Sequence, residues 1–232
     1  MDRTHDEIRA EYVRSMGQDL GQLYHELEDD MAWLHDKWGE LKELFGKGQQ
    51  RIDLLNEVAS SFFYIVHQVF YEDILLHLSR LTDPAKSPSR RLNQSVPNLS
   101  FLRVPELISD PTLKTCVEAA TVQILKKCEF ARDYRNRRLA HRDLMTLRNA
   151  HPIPLPSVNM GMVEDVLASI RDLHRLLGQH YGHPHVLYSG SSNPWGAQSL
   201  LHFVERGVRA IEEERERWRK IAEDQETELK SR

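Results

Sequence analysis

Residues 4–45 read THDEIRAEYVRSMGQDLGQLYHELEDDMAWLHDKWGELKELF, and their apolar positions recur at steps of three, four or seven residues. That spacing is typical of one face of an α-helix. Thr4 followed by Glu7 has the pattern of a capping box at a helix start, and Gly46-Lys47-Gly48 ends the run. We therefore predict that the chain opens with a long amphipathic helix. Its apolar positions are Ile8, Tyr12, Met16, Leu20, Leu23, Leu27, Leu34, Trp38, Leu41 and Phe45.

A second apolar face between residues 52 and 78 predicts another long helix. We expect it to end near Leu81, because Pro84 disfavours helical geometry at the residue before it. Residues 84–111 contain five prolines and predict a long loop with one short helical turn around residues 101–108. A loop of this length in a compact domain often has a function.

Three more helices are predicted downstream. Asp110-Pro111 is a favourable helix start, and we extend this third helix to about Arg148. Asn159 is predicted to cap a fourth helix, and the last helix begins near Pro194. No stretch has a convincing strand pattern. The fold class predicted is therefore all-α, a bundle of four to six helices with a long C-terminal helix.

We divide the chain into a helical domain over residues 1–182, a loop over residues 183–196 and a long charged helix over residues 197–232. The outer part of that helix carries acidic and basic residues four positions apart, such as Glu213 and Arg217, which stabilise an exposed helix. It is either a solvated helix end, or a surface that packs on the bundle or on a partner such as an antitoxin.

Composition excludes some classes of protein. The chain has 232 residues, with 40% hydrophobic and 28% charged residues, which is typical of a globular protein. No apolar run approaches the roughly 20 residues that a membrane helix needs, so we expect no membrane contact. Cys116 and Cys128 lie on one predicted helix about 18 Å apart and cannot pair there. We therefore expect a reducing cytoplasm.

Charge is distributed unevenly. Residues 126–148 contain eight basic and three acidic residues, in a chain whose net charge is −4. A basic helix in an acidic protein is a plausible binding site for a phosphate backbone. The alternative is that its arginines pair with acidic neighbours, and charge alone favours neither.

His141 adds chemistry to this basic segment. Cleaving RNA without a metal needs a base for the 2′-hydroxyl proton, an acid for the leaving 5′-oxygen and a cation for the crowded phosphate. Histidine can carry the protons because its pKa is near neutrality. Arginine suits the phosphate because its planar group stays charged and donates two parallel hydrogen bonds. Arg135 and His141 supply both residue types.

Helical geometry limits how these two residues can cooperate. On a regular α-helix, Arg135 and His141 are separated by about 240° around the axis and about 9 Å along it. Arg137 and Arg138 are the helical neighbours of His141. One copy of the helix therefore forms a poor site, and we predict a homodimer in which two copies supply one cleft.

Two motifs resemble those of a known family. Arg135-Asn136, four further residues and His141 resemble the signature of the HEPN superfamily. The sequence AHRD at residues 140–143 is similar to the version found in AbiU-type phage abortive-infection proteins. The segment SRLTDP at residues 79–84 resembles a second motif of that family. Together the motifs cover roughly residues 35–180.

The resemblance implies a helical bundle, dimerisation across the motif helices and RNA cleavage that leaves a cyclic phosphate. It implies that Arg135 and His141 are catalytic and that Asn136 supports them. The sequence departs from some HEPN toxins, which have a modified tyrosine two residues after the histidine. Asp143 occupies that position here, which argues against control by tyrosine modification.

The remaining candidates have supporting roles. Asp143 and Asp83 are predicted to support the site, although Asp83 could instead only stabilise its own helix end. His180, His183 and His185 have metal-like spacing, but no cysteine or carboxylate accompanies them, and we predict neither metal nor cofactor. The residues predicted to bind RNA are Arg80, Arg137, Arg138 and Arg142.

Two other functions stay open. The first is a non-catalytic helical module that binds RNA or a protein partner, to which the charged C-terminal helix is suited. The second is the toxin half of a toxin–antitoxin pair.

Overall fold

The structure is a computed structural model, and it describes residues 4–139, 144–148, 154–183 and 195–230. The predicted all-α fold with a long C-terminal helix is confirmed. Within the described residues, six helices have twelve or more residues and three are shorter. In chain order they are α1 (His5–Met16), α2 (Gln18–Phe45), α3 (Gln49–Leu81), α4 (Val104–Leu107), α5 (Pro111–Lys127), α6 (Glu129–Tyr134), α7 (Leu144–Leu147), α8 (Met160–His180) and α9 (Ala197–Lys230).

The chain divides into two compact units. Unit 1 consists of Met1–Lys37 and Phe70–Gly190, and unit 2 of Trp38–Val69 and Ser191–Arg232. The boundaries fall inside α2 and α3, so each of these helices contributes residues to both units.

The core of unit 1 includes the face of α8 that the sequence predicts. Asn159 caps this helix, because its side chain accepts a hydrogen bond from the Met162 amide. The apolar residues on this face of α8 are nearly all inaccessible to solvent, and α8 packs against α5. The buried apolar residues of α8 are Val163, Val166, Leu167, Ile170, Leu173 and Leu177.

The predicted opening helix is two helices. Thr4 and Glu7 form the predicted capping box of α1, but α1 ends at Gly17, whose φ of +85° favours glycine. Gly21 then lies against the end of α1, where a Cβ atom would come within 2.6 Å of the Tyr12 carbonyl oxygen. The apolar period continues across the break, which explains why the sequence pattern does not reveal it.

The prediction of no strand is wrong for part of the long loop. Strands β1 (Lys86–Ser89) and β2 (Gln94–Pro97) form an antiparallel hairpin in which Lys86 pairs with Pro97. Asn93, with φ of +50°, lies in the turn. Two strands leave outward-facing backbone groups on both sides, so prolines are tolerated there. The predicted short helical turn is present as a 3₁₀ turn (Phe101–Arg103) followed by α4.

The third long helix is also divided, contrary to the prediction of one helix to about Arg148. Asp110 caps α5 as expected, but Cys128 leaves helical geometry with φ −92° and ψ 3°. A π-helical turn, Arg135–Leu139, follows α6. The Cys128 thiol donates to the Leu78 carbonyl oxygen, and burial raises its pKa to about 11. Both cysteines are free.

Unit 2 has a small core of its own. It contains Leu44, Leu55, Phe63, Ala197 and Leu201. The Ala197 amide donates to the Glu40 carboxylate at the start of α9. Every residue from 209 to 230 is exposed. None of the described helices is long and apolar enough to cross a membrane.

Candidate functional site

The two motif segments meet in unit 1. Arg135 begins the π-helical turn, and Asp83 lies just beyond the C-terminus of α3. Nη1 of Arg135 donates to Oδ1 of Asp83 over 2.5 Å, and each side chain is about one quarter exposed. Residues 52 positions apart in the chain therefore form a partly buried, charge-assisted hydrogen bond.

A second arginine anchors the same segment. Nη2 of Arg132 donates to both the carbonyl oxygen and the hydroxyl of Thr82. Thr82 is buried, and its hydroxyl donates to carbonyl oxygens one turn earlier in α3. The buried hydroxyl of Ser100 donates to the Asp83 carbonyl oxygen over 2.5 Å. Asp83 is therefore held on its backbone side as well as through its carboxylate.

Asn136 contacts the catalytic candidate directly. Its Oδ1 accepts a hydrogen bond of 3.2 Å from Nε of Arg135. The Arg135 guanidinium is thus held at Nη1 and at Nε, while Nη2 makes no hydrogen bond within the described residues. Two fixed contacts restrict the rotation of the guanidinium plane, which prepares its remaining donors for an anion.

The predicted RNA-binding arginines differ in their surroundings. Nε of Arg137 donates to Oγ1 of Thr146 over 3.2 Å, so the π-helical turn contacts α7. Arg138 is exposed. Residues on either side of positions 140–143 are therefore in contact. His141, Arg142 and Asp143 lie outside the described residues, and their roles stay predictions.

Arg80 lies on the last turn of α3 beside a polar cluster that was not predicted from the sequence. One of its terminal nitrogens is 3.7 Å from Asp30, and Nε2 of the buried His77 is 2.9 Å from the same carboxylate. Lys37 contacts both Asp73 and Nδ1 of His77. Polar residues recur at helical spacing on each of two helices, Asp30 with Lys37 and Asp73 with His77. This spacing could have predicted the polar cluster from the sequence.

The described histidines near the end of α8 have separate partners. His183 is buried, with Nε2 2.5 Å from the Ser15 hydroxyl and Nδ1 3.8 Å from Glu11. His180 is exposed, and its ring packs edge-on against Tyr181. His185 lies outside the described residues.

The roles of Thr82 and Ser100 and the anchoring role of Arg132 were not predicted from the sequence. Arg132 lies three positions before Arg135, so both arginines project from neighbouring positions on one side of the helical segment. That spacing was a usable signal for Arg132. Ser100 gave no signal, because its contact depends on how the chain returns after the hairpin.

Comparison with known proteins identifies the family. No curated protein and no solved structure matches the chain. The family model HEPN_AbiU2, described as AbiU2, matches residues 17–226, which include both motif segments and most of α9. The chain therefore belongs to the HEPN_AbiU2 family.

Proposed function

We propose that the protein is a metal-independent endoribonuclease of the HEPN type that acts in the cytoplasm in abortive-infection defence against phage. The observation that carries this proposal is the contact between Asp83 and Arg135, which joins the two motif segments at one place. Membership of a HEPN abortive-infection family supports the same chemistry. The free cysteines agree with a reducing compartment.

The reaction is an internal phosphoryl transfer. A base removes the proton of a ribose 2′-hydroxyl, and the 2′-oxygen forms a bond to phosphorus. The bond from phosphorus to the 5′-oxygen breaks, and an acid gives that oxygen a proton. The products are a 2′,3′-cyclic phosphate and a 5′-hydroxyl. His141 supplies the base or the acid, because an imidazole changes protonation near neutral pH.

Arg135 binds the phosphate undergoing attack. Its guanidinium keeps its charge and offers donors beyond those used by Asp83 and Asn136. Asp83 and Asn136 act as positioning residues, because they fix the guanidinium before the substrate arrives. A preorganised cation stabilises the charge that develops at phosphorus without reorganising during the reaction. Asp143 supports the site, and Arg80, Arg137, Arg138 and Arg142 hold the flanking RNA backbone.

A second copy of the chain completes the site. HEPN proteins typically dimerise. Directly after positions 140–143, apolar side chains are exposed at Leu144, Met145 and Leu147, each more than half accessible to solvent. Exposed apolar residues next to a basic segment are the expected surface for a partner copy. The geometric argument for two copies assumed a regular α-helix from Arg135 to His141, and the π-helical turn interrupts that helix. The proposal of a dimer therefore rests on this exposed apolar surface and on membership of the family.

The test is RNA cleavage in excess EDTA by the purified full chain. We expect new ends carrying cyclic phosphate for the wild type and for His180→Ala, whose exposed histidine is a matched control. His141→Ala should remain folded by circular dichroism and produce no new ends. Cleavage by His141→Ala at the wild-type rate, or no cleavage by the wild type with any RNA in EDTA, contradicts the proposal.

A second candidate function is a non-catalytic module that pairs through α9. Every residue in the outer part of α9 is exposed, yet this part carries an apolar stripe at helical spacing that includes Ile211, Trp218 and Leu229. A lone helix gains nothing from such a stripe, which indicates a protein surface.

The charges of α9 favour a second, antiparallel copy of the same helix as its occupant. Antiparallel pairing about residues 216–217 places Ile211 opposite Ala222 and Arg215 opposite the Trp218 ring, a cation–π pair. It also brings Glu212 near Arg219. A parallel pair would instead place Arg215 opposite Arg215 of the second copy, and these like charges would repel each other.

Light scattering and the RNA assay separate the two candidates. If α9 alone pairs the copies, Ile211→Asp gives a monomer and Met145→Asp leaves a dimer. If the motif surface pairs them, as the nuclease proposal requires, Met145→Asp gives a monomer without cleavage. Glu213→Gln, on the outer face of α9, is the control for both. A chain that is monomeric throughout but forms a stable complex with an antitoxin would support the toxin reading instead.

A further inference from the structure

A cluster of two histidines and one carboxylate joins the start of α1 to α2. His25 and Asp29 are one helical turn apart on α2, and His5 is the first residue of α1. Nε2 of His5 is 2.6 Å from Oδ2 of Asp29, and Nδ1 of His5 is 3.2 Å from Nε2 of His25. One nitrogen or oxygen atom from each residue lies within 4.8 Å of the other two.

The atoms in this cluster are the kinds that zinc binds in proteins. Zinc holds histidine nitrogen and carboxylate oxygen at about 2.0–2.2 Å, usually in a tetrahedron, so ligand atoms lie about 3.3 Å apart. Nδ1 of His5 and Nε2 of His25 are 3.2 Å apart, which is close to that spacing. Oδ2 of Asp29 lies on Nε2 of His5, the ring nitrogen opposite the one that faces His25, so the half-exposed Asp29 side chain would have to rotate to bring an oxygen to the third position. Three protein ligands leave the fourth position for water.

The same three groups can also form a chain of hydrogen bonds without metal. Asp29 raises the pKa of His5 through a hydrogen bond and its charge, whereas burial lowers the pKa of His25. An ion pair between Asp29 and His5 explains two of the three residues. The third residue, His25, is 1% exposed and directs its Nε2 at Nδ1 of His5, so a metal ion would replace this hydrogen bond and the contact between His5 and Asp29.

We propose that His5, His25 and Asp29 bind one divalent transition-metal ion of the zinc class. The i,i+4 pair on α2 and the residue at the start of α1 make the ion a cross-link between two helices. α1 buries only Tyr12 and Met16 fully, so its apolar anchoring is small and a cross-link would fix it. Two imidazoles select against magnesium and calcium, which prefer oxygen ligands.

The proposed ion cross-links α1 and α2 and is separate from the proposed nuclease chemistry, which uses no metal. Removing the ion should therefore lower the melting temperature without stopping RNA cleavage at a temperature where the chain stays folded. Failure of the metal proposal would leave the nuclease proposal intact, and the reverse also holds.

The test uses the full chain, without a purification tag, after treatment with chelator and buffer exchange. Zn²⁺, Co²⁺ and Mg²⁺ are added separately, and the stoichiometry is measured by calorimetry and the melting temperature by circular dichroism. We expect one equivalent of Zn²⁺ or Co²⁺ to bind, visible absorption from bound Co²⁺, and a rise of about 5 °C or more at saturating metal. Mg²⁺ should have no effect.

Two variants test the exposed ligands, and a third is a control. His5→Gln and Asp29→Asn change exposed side chains, so they test the site without removing the buried His25, and both should abolish metal binding. His180→Gln removes an exposed histidine of the other histidine-rich segment and should bind like the wild type. The absence of stoichiometric binding to the wild type, or binding that survives in both His5→Gln and Asp29→Asn, overturns the proposal.

Discussion

The arginines of the motif segment fall into two groups with different surroundings. Arg132 and Arg135 are partly buried and donate to Thr82 and Asp83 at the end of α3. Arg138 is exposed on the same segment. The same residue type is therefore fixed by the fold at two positions and free of that constraint at a third, and the proposed function assigns the phosphate to Arg135 and an RNA backbone contact to Arg138.

The largest expected effect comes from Arg135, the fixed arginine assigned to the phosphate. Arg135→Ala should lower the cleavage rate at saturating RNA by about a hundredfold or more, because a preorganised cation is removed. Arg135→Lys should recover little, since an ammonium group cannot replace the planar fork. Single-turnover kinetics measures both. A loss no larger than that of Arg138→Ala would remove the distinction between the two groups.

Asp83 should show a smaller effect of a different kind. Asp83→Asn removes the charge that orients Arg135 and should lower the rate by about tenfold, with little change in KM. Asp83→Glu keeps the carboxylate and should recover part of the rate. If Asn and Glu variants lose activity equally, or if KM alone changes, Asp83 only stabilises its helix end.

Arg132 is expected to affect stability rather than chemistry. Arg132→Ala leaves the buried Thr82 carbonyl without its donor and should lower the free energy of unfolding by about 1–3 kcal/mol. Urea denaturation measures this loss. The rate per folded molecule should remain near that of the wild type at low temperature. A stable variant with no activity would place Arg132 in the phosphate site instead.

The smallest effect is expected at Arg138. Arg138→Ala should weaken RNA binding a few-fold and lower the slope of log affinity against log salt by about 0.7, as expected for one contact to a single strand. Stability should not change. Arg209→Ala, an exposed arginine on α9, is the matched control. An unchanged salt slope for Arg138→Ala would exclude a phosphate contact there.

The fold was predictable where a helical spacing of apolar residues coincides with residues that cap the helix end. α8 has both: Asn159 caps it, and its stripe is buried as the spacing requires. The break at Gly17 and the hairpin at residues 86–97 were not predictable. The first leaves the apolar period intact, and the second places Pro88 and Pro97 in strands.

The site was predictable in part. The sequence offered Asp83 either as a partner of Arg135 or as a helix-end residue, and only the packing of α3 against the motif segment brings the two side chains together. The π-helical turn was not predictable, because its hydrogen bonds depend on tertiary contacts such as those of Arg135 and Arg137. Arg135 contacts a residue 52 positions away and Arg137 one nine positions away, and local sequence patterns specify neither contact.

The central claim is that the motif segment is half of an RNA-cleaving site completed by a second copy. Mixing Arg135→Ala with His141→Ala tests it most directly. Each variant alone should be inactive. After unfolding and refolding together, we expect about a quarter of wild-type cleavage, since half of the dimers are mixed and each has one intact site. If the mixture stays as inactive as the separate variants while mixed dimers form, Arg135 and His141 do not come from different copies and the account is contradicted.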